Sequence, residues 1–262
     1  MTVLEDYQES YRDAKLSRTP NGVLEVIFHT DAGPLVWSER VHREFPRLFA
    51  DIAADPQNRV VILSGTGDVF CQDAVYHVWE DMDQSPYWDK LYVEGKRLLE
   101  NLLNIDVPVI GAVNGPVGIH GELLVLSDIV LATEATTFSD GHVPLDMVPG
   151  DGVHVVWPLL LGPNRARYFL LTGEKLTAAE ALQLGIVQEI LPRDQLLIRA
   201  RDLADQLSRK SLLTLRGARV VLTQRIKRHL LDDLGYGLLF ESRAAVRSIT
   251  RTTDWTGREH LQ

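Results

Sequence analysis

One cysteine, Cys71, is all that the 262-residue chain holds, so no intrachain disulfide can brace the fold and a reducing compartment is expected. Basic residues are in the minority. Lys and Arg number 27 against 36 Asp and Glu, a formal charge of −9, which argues against a nucleic-acid surface because that usually needs a basic face. Nowhere do about 18 apolar residues run together, so no membrane span is expected. The opening MTVLEDYQESYRDAKLSR carries acids early and matches neither a signal peptide nor an acid-poor transit peptide; a cytoplasmic location is the expectation. The GTG at 65–67 is not a dinucleotide fingerprint, and neither a phosphate loop nor metal-ligand spacing is found. No cofactor and no metal are therefore expected.

What is present is a succession of strand and helix signals. GVLEVIFHT at 22–30 alternates as a strand does, and RVVILSGTG at 59–67 reads as a buried strand entering a turn. PVIGAVNG (108–115) and SDIVLATEATTF (127–138) are further strand signals. Helices are expected over 37–53, with Pro46 as an interior interruption, and over 86–104, where Tyr92, Leu98, Leu99, Leu102 and Leu103 share a face. Short helices follow at 152–162 and 164–173, then helix, glycine stop and strand over 176–191. From 195 onward the pattern is helical, with helices at 195–208, 211–230 and 231–248. Strand–helix units first and helices last make the fold class α/β with a helical C-terminal region.

Four blocks carry a resemblance: VVILSGTGDVFCQDA, PVIGAVNGPVGIHGELLVLSDIVLATEATTF, MVPGDG and LTGEKLTAAEALQLGIVQEIL. In this order they resemble the crotonase (enoyl-CoA hydratase/isomerase) superfamily, through roughly residues 20–250. The resemblance implies ββα units wound into a superhelix over 1–194 and a C-terminal helical region over 195–262 that mediates trimers or dimers of trimers. Crotonases acting on CoA thioesters build an oxyanion hole from two backbone amides in glycine-rich stretches. Here those stretches are FCQDA and GPVGIHGE, with Ile119 and His120 where glycines would stand. His142 occupies the place of a catalytic glutamate, PGDG puts Asp151 in the pocket, and Glu122 aligns with the other catalytic glutamate. These departures resemble the β-diketone hydrolase branch, which uses Trp, three His, Asp and Glu. The matching residues are Trp37 and His42 in LVWSERVH, His120, His142, Asp151, and Glu241 in LLFESR.

That branch implies hydrolysis of a carbon–carbon bond between two carbonyls of a small cyclic or bicyclic diketone, giving a keto acid. Water is a poor nucleophile at neutral pH, so a base is required, and an imidazole of pKa about 6.5 suits the task. His142 is the expected base and Asp151 the carboxylate on its other ring nitrogen. Trp37 and His120 are the expected donors to the oxyanion, replacing backbone amides. Glu241 would orient water or return a proton, and His42 would line the wall.

Blander readings stand beside these. Asp151 suits a helix N-cap, His142 a polar loop, His120 a satisfied buried histidine, Trp37 a core aromatic, and Glu241 a solvated helix face. Cys71 reads as core; His29, His77, His154, His229 and His260 read as structural or surface. The competing activity is that of an enoyl-CoA hydratase or isomerase with an unusual site.

Overall fold

The computed structural model describes residues 2–75 and 85–249; His77 and His260 lie outside them. Its main sheet comprises β1 (Ala14–Arg18), β2 (Val23–Phe28), β4 (Val60–Gly65), β6 (Val109–Val113), β7 (Ile129–Thr133) and β10 (Glu189–Leu191), side by side in that order. β1 runs antiparallel to β2, and the other neighbours are parallel. Both faces are covered, as a parallel sheet requires, and shorter helices α1 (Leu4–Tyr7), α4 (Glu122–Val125), α6 (Pro163–Thr172) and α7 (Ala178–Gln183) fill the connections. Val60 and Ile62 pack with Leu196, Ala200 and Ala204 of α8 (Arg193–Ser208). Their neighbours Val61 and Leu63 point the other way, into a core shared with α2 (Glu39–Ala54) and α3 (Ser85–Asn104). The period-two alternation of strand side chains thus serves two helical layers at once.

A second, smaller layer carries the chemistry-bearing loops. β3 (Leu35–Ser38) pairs in parallel with β5 (Cys71–Val75), and β8 (Thr137–Phe138) pairs antiparallel with β9 (Leu176–Thr177). Val117 links the two pairs through bridges to Cys71 and Phe138. Cys71 is fully buried here.

Three elements differ from the sequence expectation. The helix expected over 37–53 begins at Glu39, because Ser38 caps it by accepting from the Val41 amide at 3.3 Å. Trp37 instead lies on β3, opposite Ala74. Pro46 is accommodated inside α2, where its carbonyl accepts from the Asn101 side chain at 2.8 Å. The strand expected over 127–138 is cut in two at a turn where the Thr133 amide donates to Thr136 Oγ1 at 3.2 Å. Helices expected at 211–230 and 231–248 are one, α9 (Leu212–Ile249).

Two glycines within α9 serve close approach. A Cβ on Gly235 would stand 2.8 Å from Tyr92 Oη, and one on Gly237 would stand 2.1 Å from His154 Cε1 and 2.5 Å from the Gly150 carbonyl oxygen. α9 therefore lies directly on the turn preceding α5 (Val153–Leu161), which brings Glu241 beside Asp151. A buried arginine fixes the other half of this helix. Arg219 Nε donates to the Ile105 carbonyl at 2.7 Å and Nη1 pairs with Asp128. Among the described residues, no helix is long and apolar enough to cross a membrane.

This contact yields a test. A Cβ on Gly150 would fall 2.2 Å from the Gly237 carbonyl oxygen and 2.7 Å from Glu241 Cβ. Gly150→Ala should destabilise the protein by about 1–3 kcal/mol, the usual cost of overpacking, seen as a lowered midpoint in thermal unfolding. An unchanged midpoint would show that α9 does not depend on this approach.

Candidate active site

The site forms where four segments end. The first is the loop after β6, held by Asn114. Its side-chain carbonyl accepts from the Gly65 amide at 3.1 Å, and its Nδ2 donates to the carbonyls of Gly67 at 2.9 Å and Val69 at 3.1 Å. Beyond it, the amides of Gly118 and Ile119 both donate to the Cys71 carbonyl, at 2.8 and 3.2 Å. Those two amides are engaged within the fold, not presented to a ligand. His120 follows with φ +50°, a left-handed conformation that costs a non-glycine residue about 1–2 kcal/mol. The chain keeps a glycine-like backbone there and adds an imidazole to it. Backbone strain at a buried polar side chain is a common mark of a working site.

The second segment, after β8, supplies Asp140 and His142, the latter leading a short 3-10 turn (Val143–Leu145). The third is the turn before α5, carrying Asp151. Gly152, not Asp151, occupies the N-cap of α5, but the Asp151 carboxylate is also stabilised by the Val153 amide that opens that helix, so part of the capping reading stands. The fourth is α9, carrying Glu241.

Both imidazoles are held by a carboxylate two residues away. His142 Nδ1 meets Asp140 Oδ2 at 2.9 Å, and the His142 backbone amide donates to Asp140 Oδ1 at 3.2 Å. His120 Nδ1 meets Glu122 Oε1 at 2.6 Å. This corrects the expected pairing: Asp140, not Asp151, orients His142. Asp151 stands between the rings, its Oδ2 3.5 Å from His120 Nδ1 and 3.6 Å from His142 Nε2. Glu241 Oε1 is 3.7 Å from His142 Nε2. Fully buried oxygens Asp151 Oδ1, Glu122 Oε2 and Glu241 Oε2 accept no hydrogen bond.

One cavity of about 440 Å³ is lined on its polar side by His42, His120, Asp140, His142, Asp151 and Glu241, with Glu122 buried behind His120. Leu91, Ile119, Leu145, Met147 and Leu238 form apolar wall, and among the described residues neither Lys nor Arg lines it. His42 is tied to Glu94 through Nδ1 at 3.1 Å. Trp37 departs from expectation. Its side chain is fully buried and does not line the cavity, since the inward positions of β3 are Leu35 and Trp37. It packs behind His120, with ring centroids 3.6 Å apart and a tilt of 35°, and its indole N–H has no partner. His29, His154 and His229 do not line the cavity.

Electrostatics alter the expected state of the base. Burial disfavours charge on His142, but Asp151, Asp140 and Glu241 outweigh it and hold its pKa well above the ordinary value. Burial likewise opposes charge on His120, where Glu122 and Asp151 prevail and the pKa is raised. His42 goes the other way: burial dominates and lowers it. Burial raises the carboxyls of Glu122 and Glu241. For Asp151 burial is outweighed by His142 and His120, leaving it lowered. Asp140 and Glu122 are the residues that sequence reasoning missed or left idle. The local signal was the i±2 spacing in DGH and HGE.

In an NMR titration of imidazole resonances, His142 should therefore titrate clearly above the ordinary value of about 6.5. Asp140→Asn should bring it down, since it removes a carboxylate in direct contact. A His142 titrating at or below the ordinary value in the unaltered protein would contradict this electrostatic picture.

With the geometry in place, likeness to known proteins can be weighed. The sequence profile of the enoyl-CoA hydratase/isomerase family matches residues 18–242. A Bacillus subtilis protein named for that class, YngF, is 31% identical over 216 residues, covering 81% of this chain and 80% of its own. The carnitinyl-CoA dehydratase of Escherichia coli K12 is 32% identical over 171 residues, 63% of each chain. Among solved structures, ABDH, a beta-diketone hydrolase from the cyanobacterium Anabaena sp. PCC 7120 bound to (S)-3-oxocyclohexyl acetic acid, superposes with a TM-score of 0.90. It is 46% identical, covering 92% of this chain and 97% of that one. An enoyl-CoA hydratase/isomerase from Mycobacterium paratuberculosis shares the fold, with a TM-score of 0.83 at 24% identity over 92% of this chain and 98% of its own.

Proposed function

The chain belongs to the enoyl-CoA hydratase/isomerase family, the crotonase superfamily, and within it we propose that this enzyme hydrolyses a carbon–carbon bond of a compact cyclic or bicyclic β-diketone by a retro-Claisen reaction, releasing a keto acid. The observation that carries this reading is the convergence of His120, His142, Asp151 and Glu241 on one cavity, while the neighbouring loop amides are engaged by Cys71. The 46% identity with a beta-diketone hydrolase supports it. So does the wall, which offers apolar contact to a small ring and, among the described residues, no Lys or Arg for an anionic group.

Each step has a residue to perform it. His142 Nε2, Asp151 and Glu241 lie within 4.8 Å of one another, so one water can sit about 2.8 Å from all three, a hydrogen-bond length. Asp140 on Nδ1 sets the tautomer in which Nε2 carries the lone pair. Neutral His142 takes the proton as oxygen adds to one carbonyl. The oxyanion is met by His120, whose Nδ1 is held by Glu122 and whose Nε2–H remains for a ligand. Trp37 acts through His120, its indole face packed against that ring and favouring the cationic form. Collapse of the adduct breaks the bond between the carbonyls and leaves an enolate. Glu241, raised by burial, carries the proton to the enolate carbon. His42, tied to Glu94, shapes the wall. Apolar side chains exposed on α9, such as Leu213 at 82% and Leu222 at 75%, fit the trimer or dimer of trimers expected of the fold.

Incubation with a bicyclic 1,3-diketone whose opened form is 3-oxocyclohexyl acetic acid should yield that keto acid. His142→Ala should lower kcat by about 10²–10⁴. Turnover of crotonyl-CoA with none of several such diketones would overturn the reading. The pH profile gives a second test. Only neutral His142 accepts a proton, and its carboxylate neighbours keep it protonated past the ordinary value. kcat/KM should thus rise with pH along a limb lying above about 6.5, and that limb should vanish in His142→Ala. A limb at or below that value would exclude His142 as the base.

A further inference from the structure

We propose that His142 Nε2, Asp151 and Glu241 also form a binding site for one divalent transition-metal ion of the zinc type, with its open coordination position facing the cavity. Spacing is the first argument. Ligands at zinc's usual 2.0–2.2 Å stand about 3.3–3.6 Å apart around a tetrahedron. His142 Nε2 lies 3.6 Å from Asp151 Oδ2 and 3.7 Å from Glu241 Oε1. Both separations are close to tetrahedral edges. The alternative trio of His120, Glu122 and Asp151 fits worse, because 2.6 Å between His120 Nδ1 and Glu122 Oε1 is a closed hydrogen bond with no room for an ion between.

The surroundings supply two independent signs. Asp151 is only 9% exposed, and its Oδ1, like Glu241 Oε2, is buried without a hydrogen-bond partner, leaving oxygen lone pairs with nothing to receive. Second, the far nitrogen of His142 is held by the Asp140 carboxylate at 2.9 Å. A metal-ligating histidine nearly always has such a partner, which fixes the ring and raises its basicity. One imidazole at tetrahedral spacing from each of two carboxylates, with all three ligand atoms within 4.8 Å of one another, favours Zn²⁺ or Co²⁺; Mg²⁺ and Ca²⁺ require six or more oxygens. An ion so held takes the Nε2 lone pair and the place of the attacking water. It therefore inhibits, a consequence that rests on the hydrolase reading, whereas the binding itself does not.

The test uses the whole chain, freed of metal by a chelator. Co²⁺ is added while visible absorption is followed, then displaced by Zn²⁺, with the Zn²⁺ stoichiometry taken by calorimetry. The expected result is one ion per chain and the intense absorption of tetrahedral cobalt. Asp151→Asn and Glu241→Gln, near-isosteric and checked for folding by circular dichroism, should each abolish that absorption. Asp140→Asn should weaken affinity about 10–100-fold, and His229→Ala should change nothing. Absence of binding, a weak six-coordinate spectrum, or Asp151→Asn and Glu241→Gln binding like the parent would overturn the proposal. Zinc binding at this trio in a protein that hydrolyses no diketone would leave the site standing and remove only the inhibitory role.

Discussion

A single carboxylate oxygen, Asp151 Oδ2, stands 3.5 Å from one buried imidazole and 3.6 Å from another, and the site depends on that crowding. Moving charges out of water is costly, so buried imidazoles ordinarily lose their protons and buried carboxylates ordinarily gain them. Here the two kinds are interleaved: Asp140 and Asp151 act on His142, and Glu122 and Asp151 act on His120. Each group tempers the burial cost of the next. The outcome is a pair of imidazoles biased towards the cation, facing the same cavity as a carboxyl, Glu241, biased towards the acid. That distribution suits a reaction in which negative charge builds on carbonyl oxygen and ends on carbon.

The fold brings the crowding about through close backbone approaches. Gly150 and Gly237 let the turn before α5 touch α9, so Asp151 and Glu241 come within reach of one ring. Asn114 pins the loop after β6 to the turn after β4. Within that loop Gly118 and Ile119 turn their amides to the Cys71 carbonyl, and the backbone strain at His120 places a side-chain donor where main-chain donors are engaged. A scaffold whose relatives are named for CoA thioesters is thereby fitted with an imidazole-rich wall in which, among the described residues, neither Lys nor Arg takes part.

The main elements were legible from hydrophobic periodicity, because sheet strands such as VVILSG are buried on both faces and helices such as α3 on one. What escaped was decided by tertiary contact. The stretch 211–248 read as two helices, but it forms one, in which Gly235 and Gly237 admit Tyr92 and His154. Trp37 read as helical because the polar run after it is; pairing with β5 claims LVWS as a strand and buries the indole behind His120. The residues of the site were readable mainly through resemblance to a family, but their partnerships were not. Asp151 looked like the orienting carboxylate of His142 because it heads a helix nine positions on. The shorter DGH spacing won, since residues two apart in a tight loop can meet without any help from the rest of the chain.

A crystal structure with 3-oxocyclohexyl acetic acid bound tests the central claim most directly. The account predicts the acid's carboxylate at the trio of His142 Nε2, Asp151 and Glu241, and its ketone oxygen within hydrogen-bond distance of His120. A ligand seated outside this cavity, or one whose ketone oxygen is held by the Gly118 and Ile119 amides, would contradict it.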